Sequence, residues 1–450
     1  MRSLKTLLIL SLFLLFGIPC KSQDYLSPRG LSFAQTYATQ SRGVEAIGWN
    51  PANLGVPGDY NFQMNFGAFP LVPLPMVQIG NSSLSASFFN RYYTGNHFLD
   101  ARGKSELLAY FPESGWSSNH LVQLRPIGIS IGHTAVALDG SVTGSITLPR
   151  ALLELALYGN EFGKPVLFDG LNGEVQATTS LAIAHGREVT LPGLESLVEN
   201  TTVGAAVKLL IGMGYIRTES ADASLITNPD GFEIQGKVKA LSSFGMADAA
   251  GFDFPEQSSA SDGNSLGYGM AIDLGIGTRI HNDMRASLAL NNLLGALTYP
   301  ESRTYEYEVA FNSDTVDMRD PGDLEKQIVK VDTSYVSGKI RSPYPAYLVA
   351  GYQWDYRSDL SLYLNYKQGF TRRLQSTPVP RLSVASEYRR VHWLPLRLGM
   401  SIGGIEGFQW GAGFGFEFSH YGLHLGFSQS GGVFNHATGF SFALGQELRF

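Results

Sequence analysis

Phe408-Gln409-Trp410-Gly411-Ala412-Gly413-Phe414-Gly415-Phe416-Glu417-Phe418 sets large apolar side chains at every second position and glycine, glutamine or glutamate between them. Successive side chains of a strand point to opposite faces, so this segment has one aromatic face and one small, polar face. The same sense recurs in Leu394-Pro-Leu396-Arg-Leu398-Gly-Met400-Ser-Ile402, Tyr421-Gly-Leu423-His-Leu425-Gly-Phe427, Leu360-Ser-Leu362-Tyr-Leu364-Asn-Tyr366 and Leu348-Val-Ala350-Gly-Tyr352-Gln-Trp354. Strands of a soluble β-sandwich alternate too, but they send large residues to a core and charged residues to water. Here the second face is rich in Gly, Ser and isolated polar groups. Segments of about ten residues, apolar on one side and polar on the other, are the pattern of a transmembrane antiparallel β-barrel.

The chain ends in the same manner, with Phe440 to Phe450 alternating to the last residue. This segment resembles the terminal signal of outer-membrane β-barrels, Gly-x-x-apolar-x-aromatic, on Gly445, Leu448 and Phe450. Ala443 stands where a polar residue is commoner. The resemblance implies that the barrel-assembly machinery and outer-membrane lipids are partners.

Met1-Arg2-Ser3-Leu4-Lys5 is a short basic start, and Thr6 to Ile18 is an apolar run of signal-peptide length, short for a membrane helix. Export is expected, with cleavage after Ser22 across a Gram-negative envelope. A lipoprotein reading of Cys20 fits poorly, because Pro19 precedes it directly. Removing the signal removes the one cysteine, leaving neither a disulfide framework nor a thiol nucleophile. It also takes Arg2, Lys5 and Lys21 from the 33 basic residues, leaving 30 against 39 acidic ones, a net charge of −9. Basic residues are scattered and no patch interleaves them with aromatics, so nucleic acid is not an expected partner. Charged residues make up 16% of the chain, sparse against about 25% in soluble domains. Lipid-facing strands account for that. No long uncharged apolar run follows Ile18, so no spanning helix is expected.

Alternation marks strands near Tyr60–Phe69, Val77–Phe89, Leu121–Gly132, Thr134–Leu148, Glu174–Ala184, Thr201–Ile216, Ala221–Thr227, Phe232–Leu241, Gly267–Ile280, Met284–Asn291 and Thr304–Phe311. Seven more lie between Tyr344 and Phe450, counting Arg381–Tyr388. Some early candidates read as plug, loop or strand extension, and bacterial barrels use even strand numbers. An all-β barrel of about 14 strands is expected, with 16 as the alternative. Phe244–Asn264 and Asn312–Ser342 read as long polar excursions. Ala101–Phe111 and Arg150–Tyr158 have helical spacing, fit to sit in the lumen or to cap an end. Phe69–Met76, with three prolines, reads as a stiff extended loop.

Before the first strand runs a polar, Gly-punctuated segment from Ser27 to Gly55 that includes Arg42-Gly43-Val44-Glu45-Ala46 and then Asn50, Pro51, Ala52 and Leu54. This resembles the long-chain fatty-acid transporter superfamily of outer-membrane barrels, whose N-terminal hatch carries Asn-Pro-Ala and an apolar residue just before the first strand. The chain also looks like uncharacterised Bacteroidota-type barrels that share this opening and a stretch like Leu152 to Asn160. The resemblance implies a signal peptide at 1–22, a luminal hatch at 23–57 and a barrel at 58–450. Asn50 can bond its own turn and Pro51 fixes φ, so the pair suits a rigid turn that wedges the hatch against the wall.

Catalytic readings are weak. Arg102-Gly103-Lys104-Ser105 matches only the end of a phosphate loop, with Phe98 where the first glycine belongs. His420 and His424 share a strand face but lack a third ligand, so no metal site is expected. Asp355, His392 and His424 do not assemble into a catalytic cluster by spacing. No catalytic residue and no cofactor are therefore expected. The leading expectation is a transporter or channel for small hydrophobic compounds, gated by the hatch. A structural or secretion and envelope-assembly barrel acting through its loops is the alternative, and an outer-membrane hydrolase is a third.

Overall fold

β1 (Phe62–Gly67) and β2 (Met76–Asn81) both pair with β3 (Trp116–Ile131) on one side and with β20 (Gly439–Arg449) on the other. The two pieces thus fill one position in the wall. In this computed structural model the described residues are 25–58, 60–67, 75–92, 94, 99–190, 192–193, 198–229, 231–243, 266–312, 329–371, 373–374 and 376–450.

From β3 the antiparallel ladder passes to β4 (Thr134–Leu148) and β6 (Asn172–Val189), β5 being the two-residue Val166–Leu167. It continues through β7 (Glu199–Asn228), then skips β8 (Gly231–Ser242) to reach β9 (Gly267–His281) and β10 (Met284–Tyr299). Beyond β11 (Arg303–Asn312), β12 (Val329–Val336) and β13 (Ile340–Pro343), β10 pairs with β14 (Tyr347–Arg357). β15 (Leu360–Gly369), β16 (Arg381–Tyr388), β17 (Leu396–Gly403), β18 (Phe408–Glu417) and β19 (Tyr421–Ser430) complete the ring to β20. The result is a closed barrel of 14 strands, not 16. Among the described residues, no helix is long and apolar enough to cross a membrane.

Parity decides the faces. On β17, Leu396, Leu398, Met400 and Ile402 are exposed while Arg397 and Ser401 are buried. Val207, Leu209 and Ile211 of β7 likewise face out, around buried Ala206, Lys208 and Leu210. The apolar residues therefore coat the outside and the polar ones line the lumen, as a lipid solvent requires. Short turns at 132–133, 282–283, 358–359 and 418–420 gather at one end. Both ends of the wall meet there too: the Phe450 carbonyl accepts from the Asn61 and Phe62 amides at 3.0 and 2.8 Å.

Four readings of the sequence change. The Val77–Phe89 strand stops at Asn81, whose side chain accepts from the Ser83 and Leu84 amides and turns the chain. Ser85 then accepts from the Phe88 amide at 3.2 Å, opening helix α2 (Ala86–Tyr92); α1 is Pro28–Ser32. Thr201–Ile216 and Ala221–Thr227 are one 30-residue strand, continuous through a register shift at Thr218/Ser220. Above its last pair with β9, Gly212 with Gly267, β7 pairs with β8, β8 with β11 and β11 with β12, building a sheet that leaves the ring. The polar 312–342 excursion thus contains β12 and β13, which need no apolar face beyond the membrane. The 244–264 excursion, most of the triple-proline segment and the cleavage site at Ser22 lie outside the described residues.

The helical readings at 101–111 and 150–158 correspond to α3 (Ala101–Ala109) and α4 (Arg150–Tyr158). With α2 they cap the end opposite the termini, where Phe88, Leu107 and Phe111 pack against Tyr92, Trp116, Leu153 and Leu157.

Candidate functional site

Residues 25–58 lie inside the barrel and pack against inward-facing residues around the ring. Ser27 accepts from the Gly30 amide at 2.9 Å and Pro28 occupies the first turn, which starts α1. Ser32 donates to the Leu425 carbonyl of β19 at 3.2 Å. The wall makes room with glycine: a Cβ on Gly411 would stand 2.1 Å from the Leu31 carbonyl oxygen, and one on Gly204 would stand 2.4 Å from the Pro51 carbonyl. The small faces read in the sequence thus admit the plug backbone to contact distance.

Asn50, Pro51, Ala52 and Leu54 sit at the far end of the segment, all buried. The Asn50 side-chain Oδ1 accepts from the Ala52 amide at 3.0 Å, and its Nδ2 donates to the Ile276 carbonyl of β9 at 3.3 Å. Leu54 packs among Ala135, Ala137, Ala182, Ala184 and Ala206 of the wall, and its carbonyl accepts from His133 at 2.8 Å. Asn291 and Tyr347 donate to the neighbouring Trp49 and Gly48 carbonyls at 3.1 and 2.5 Å. The Asn50-Pro51 turn is held at three or more wall strands.

Gly445, Leu448 and Phe450 belong to the closing strand and its end. A Cβ at Gly445 would come 2.9 Å from the Pro28 ring. The exposed Phe450 ring stacks on His420 at a centroid distance of 5.1 Å. His420 lies in a turn and His424 points inward from β19, so the two histidines do not share a strand face as expected. Among the described residues, no group of three or more His, Cys, Asp or Glu could hold a metal ion.

The strongest plug-to-wall tie is one that sequence spacing could not show. Arg29 of α1 contacts Glu45 at 2.5 Å within the plug, Glu447 of β20 at 2.7 Å and Glu417 of β18 at 3.7 Å. It also lies 2.7 Å from His424 Nε2. Glu417 and Glu387 are each shared by Arg397 and Arg389 at 2.5–2.8 Å, and Gln63 donates to Glu447 at 2.6 Å. Burial alone would disfavour the Arg29 charge, but Glu447 and Glu45 outweigh it and hold its pKa well above the usual arginine value.

Tyr37 donates to Glu45 at 2.5 Å. Burial first, then the Glu45 carboxylate, push its phenol well above its ordinary 10.0. A raised pKa contributes to docking in full below the unperturbed value and is lost as pH climbs through the docked one. Release of the segment beginning above about pH 10 is expected, read as new protease cleavage within 25–58. Tyr37→Phe should flatten that onset; an identical onset in the variant would trace the release to other groups.

Beneath the plug, at the end carrying the termini, lies a vestibule of about 850 Å³ lined by Arg42, Tyr60, Arg389, His392, Trp393 and Arg449 among others. Beyond the plug, Tyr215, Tyr299, Leu210 and Leu297 fill the lumen together with Leu374 from the β15–β16 connection. Arg373 of that connection pairs with Glu174 at 2.7 Å, and Tyr215 donates to the same carboxylate at 2.8 Å. Two sets of side-chain contacts thus lie inside the barrel, one around residues 25–58 and one around Tyr215 and Leu374.

The fold resembles solved barrels over nearly their whole length. A TodX monoaromatic hydrocarbon channel mutant, deltaS2S3, matches with a TM-score of 0.56 at 12% identity, covering 94% of this chain and 99% of that one. The CymD monoaromatic hydrocarbon channel matches at 0.50 and 11% identity, with coverages of 94% and 97%. The P. putida toluene transporter TodX matches at 0.50 and 13% identity, with coverages of 93% and 98%. No curated protein sequence matches the chain. One family model spans residues 56–427, starting where the plug ends. By that match the chain belongs to the family of unknown function DUF5723.

Proposed function

We propose that the protein is an outer-membrane channel or transporter for small hydrophobic compounds, with residues 23–57 as its gate. One observation carries this reading: a separate N-terminal segment fills a 14-strand lumen and is held there by side-chain contacts such as Arg29 with Glu447. Such contacts can break and re-form while the ladder hydrogen bonds of the wall stay in place. The aromatic cap of α2, α3 and α4, with Phe89, Tyr110 and Tyr158 exposed, supports an apolar cargo, as does the likeness to monoaromatic hydrocarbon channels. In liposomes, the intact protein should speed influx of a monoaromatic hydrocarbon over protein-free vesicles while leaving a sugar excluded. Equal influx with and without protein would reject the reading.

A second reading, a structural or secretion barrel, is favoured by the β7–β8–β11–β12 sheet that leaves the ring. Among the described residues β12 pairs with β11 alone, so its other edge is available for a partner strand. A stable protein partner co-purifying from native envelopes, lost when β12 is deleted, would favour it.

A further inference from the structure

Arg279 and Arg285 stand directly opposite each other across the β9–β10 ladder, and parity turns both toward the lumen beside Gly277 and Ser287. Like charges in such a cross-strand pair repel. A third guanidinium joins them from the plug. Thr39 Oγ1 lies 3.1 Å from Ser287 Oγ, seating the 39–42 turn on β10 one inward residue from Arg285. Arg42 and Arg279 both lie within electrostatic range of the Arg285 guanidinium. Arg42 donates to carbonyls of its own turn, Thr39 at 2.9 Å and Ser41 at 2.8 Å. Arg285 is 8% exposed, and among the described residues its guanidinium has no hydrogen bond or ion pair.

The nearby acids do not balance the three. Asp355 is in electrostatic range of Arg42 and Arg285, but its Oδ1 already accepts from Gln353 at 2.9 Å and Ser361 at 2.7 Å. Glu199 lies opposite Arg279 where the β7–β9 register shifts, and it is exposed. A buried arginine without a partner is costly, and guanidinium forks fit carboxylate and phosphate oxygens in pairs.

We propose that Arg42, Arg279 and Arg285 form a binding site for an oxyanion, a phosphate or carboxylate group, at the seam between plug and wall. Arg42 also lines the vestibule, which gives the ligand its route from the end carrying the termini. The site does not depend on which compound the barrel carries. A bound oxyanion would bridge plug and wall and tighten docking.

Calorimetry on the purified full chain in non-ionic detergent tests this with inorganic phosphate and with acetate; nanodiscs of phosphatidylglycerol against phosphatidylcholine test a lipid headgroup as the source. Saturable binding is expected, weakened at least about tenfold by Arg285→Gln and by Arg42→Gln and unchanged by Lys237→Gln on exposed β8. Arg279→Gln serves if another variant loses the heat-modifiable, folded form. Binding of the free anions assigns a soluble ligand, and a signal confined to phosphatidylglycerol assigns a headgroup; both support the site. Binding unaffected by all three arginine substitutions, or no saturable binding to any probe, would overturn it.

Discussion

Arg29→Ala is expected to undock the N-terminal segment and raise single-channel conductance in planar bilayers. The substitution leaves Glu45 and Glu447, 7% and 1% exposed at their side chains, without the cation they share. Removing one partner of a buried ion pair typically costs about 3–5 kcal/mol, because the remaining charge stays desolvated. Wall strands satisfy their own backbone hydrogen bonds, so the loss should fall on docking and leave the barrel heat-modifiable. Arg29→Met combined with Glu45→Gln should recover part of the wild-type closure, since among the described residues Glu45 has no other cation while Glu447 keeps Arg449 at 3.4 Å. Wild-type conductance and protease resistance in Arg29→Ala would show that the ion network does not hold the plug.

Deleting residues 23–57 should have the larger effect. The truncated chain is expected to assemble, because each spanning strand keeps both ladder neighbours. A barrel of this strand number encloses more space than its own side chains fill, so conductance should rise several-fold and a hydrophobic probe should lose selectivity over a sugar. The far layer sets Leu374 of the β15–β16 connection against Tyr215 of β7 and Leu297 of β10, with Arg373 pinned to Glu174 of β6; it is not part of the deleted segment and should persist in the truncated chain. A folded truncated barrel that conducts no more than the full chain would remove the plug from the gating account and favour the interaction reading.

The wall was legible because lipid and lumen impose opposite demands on alternate residues. Phe408–Phe418 carries that signal in its raw order, as do six neighbouring strands. Beyond the membrane the demand lapses, so β12, with Lys330, Asp332, Thr333 and Ser334, read as loop. The strand read at Val77–Phe89 runs eight residues too far, and what ends it is the local bonding of Asn81 and Ser85. The Asn50-Pro51 turn was visible through its turn chemistry. The Arg29 cluster was not, because Arg29, Glu45, Glu417, His424 and Glu447 come from five separate segments and each looks like one more isolated polar group inside a strand or loop. The Arg279–Arg285 juxtaposition follows from ladder register, which the sequence does not print.

Arg29 and Glu447 are 418 residues apart, so the plug meets its main anchor only when the last strand is in place. Bringing ends together over that separation is among the slowest steps a chain of this size can face, since loop-closure entropy must be overcome before the contact forms. A chain arrested before β20 would have an open seam and would lack the Arg29–Glu447 anchor at once, while the Asn50-Pro51 end of the segment is still held. Sealing of the wall and formation of the Arg29 anchor thereby depend on one and the same strand, so a barrel with an open seam also lacks that anchor.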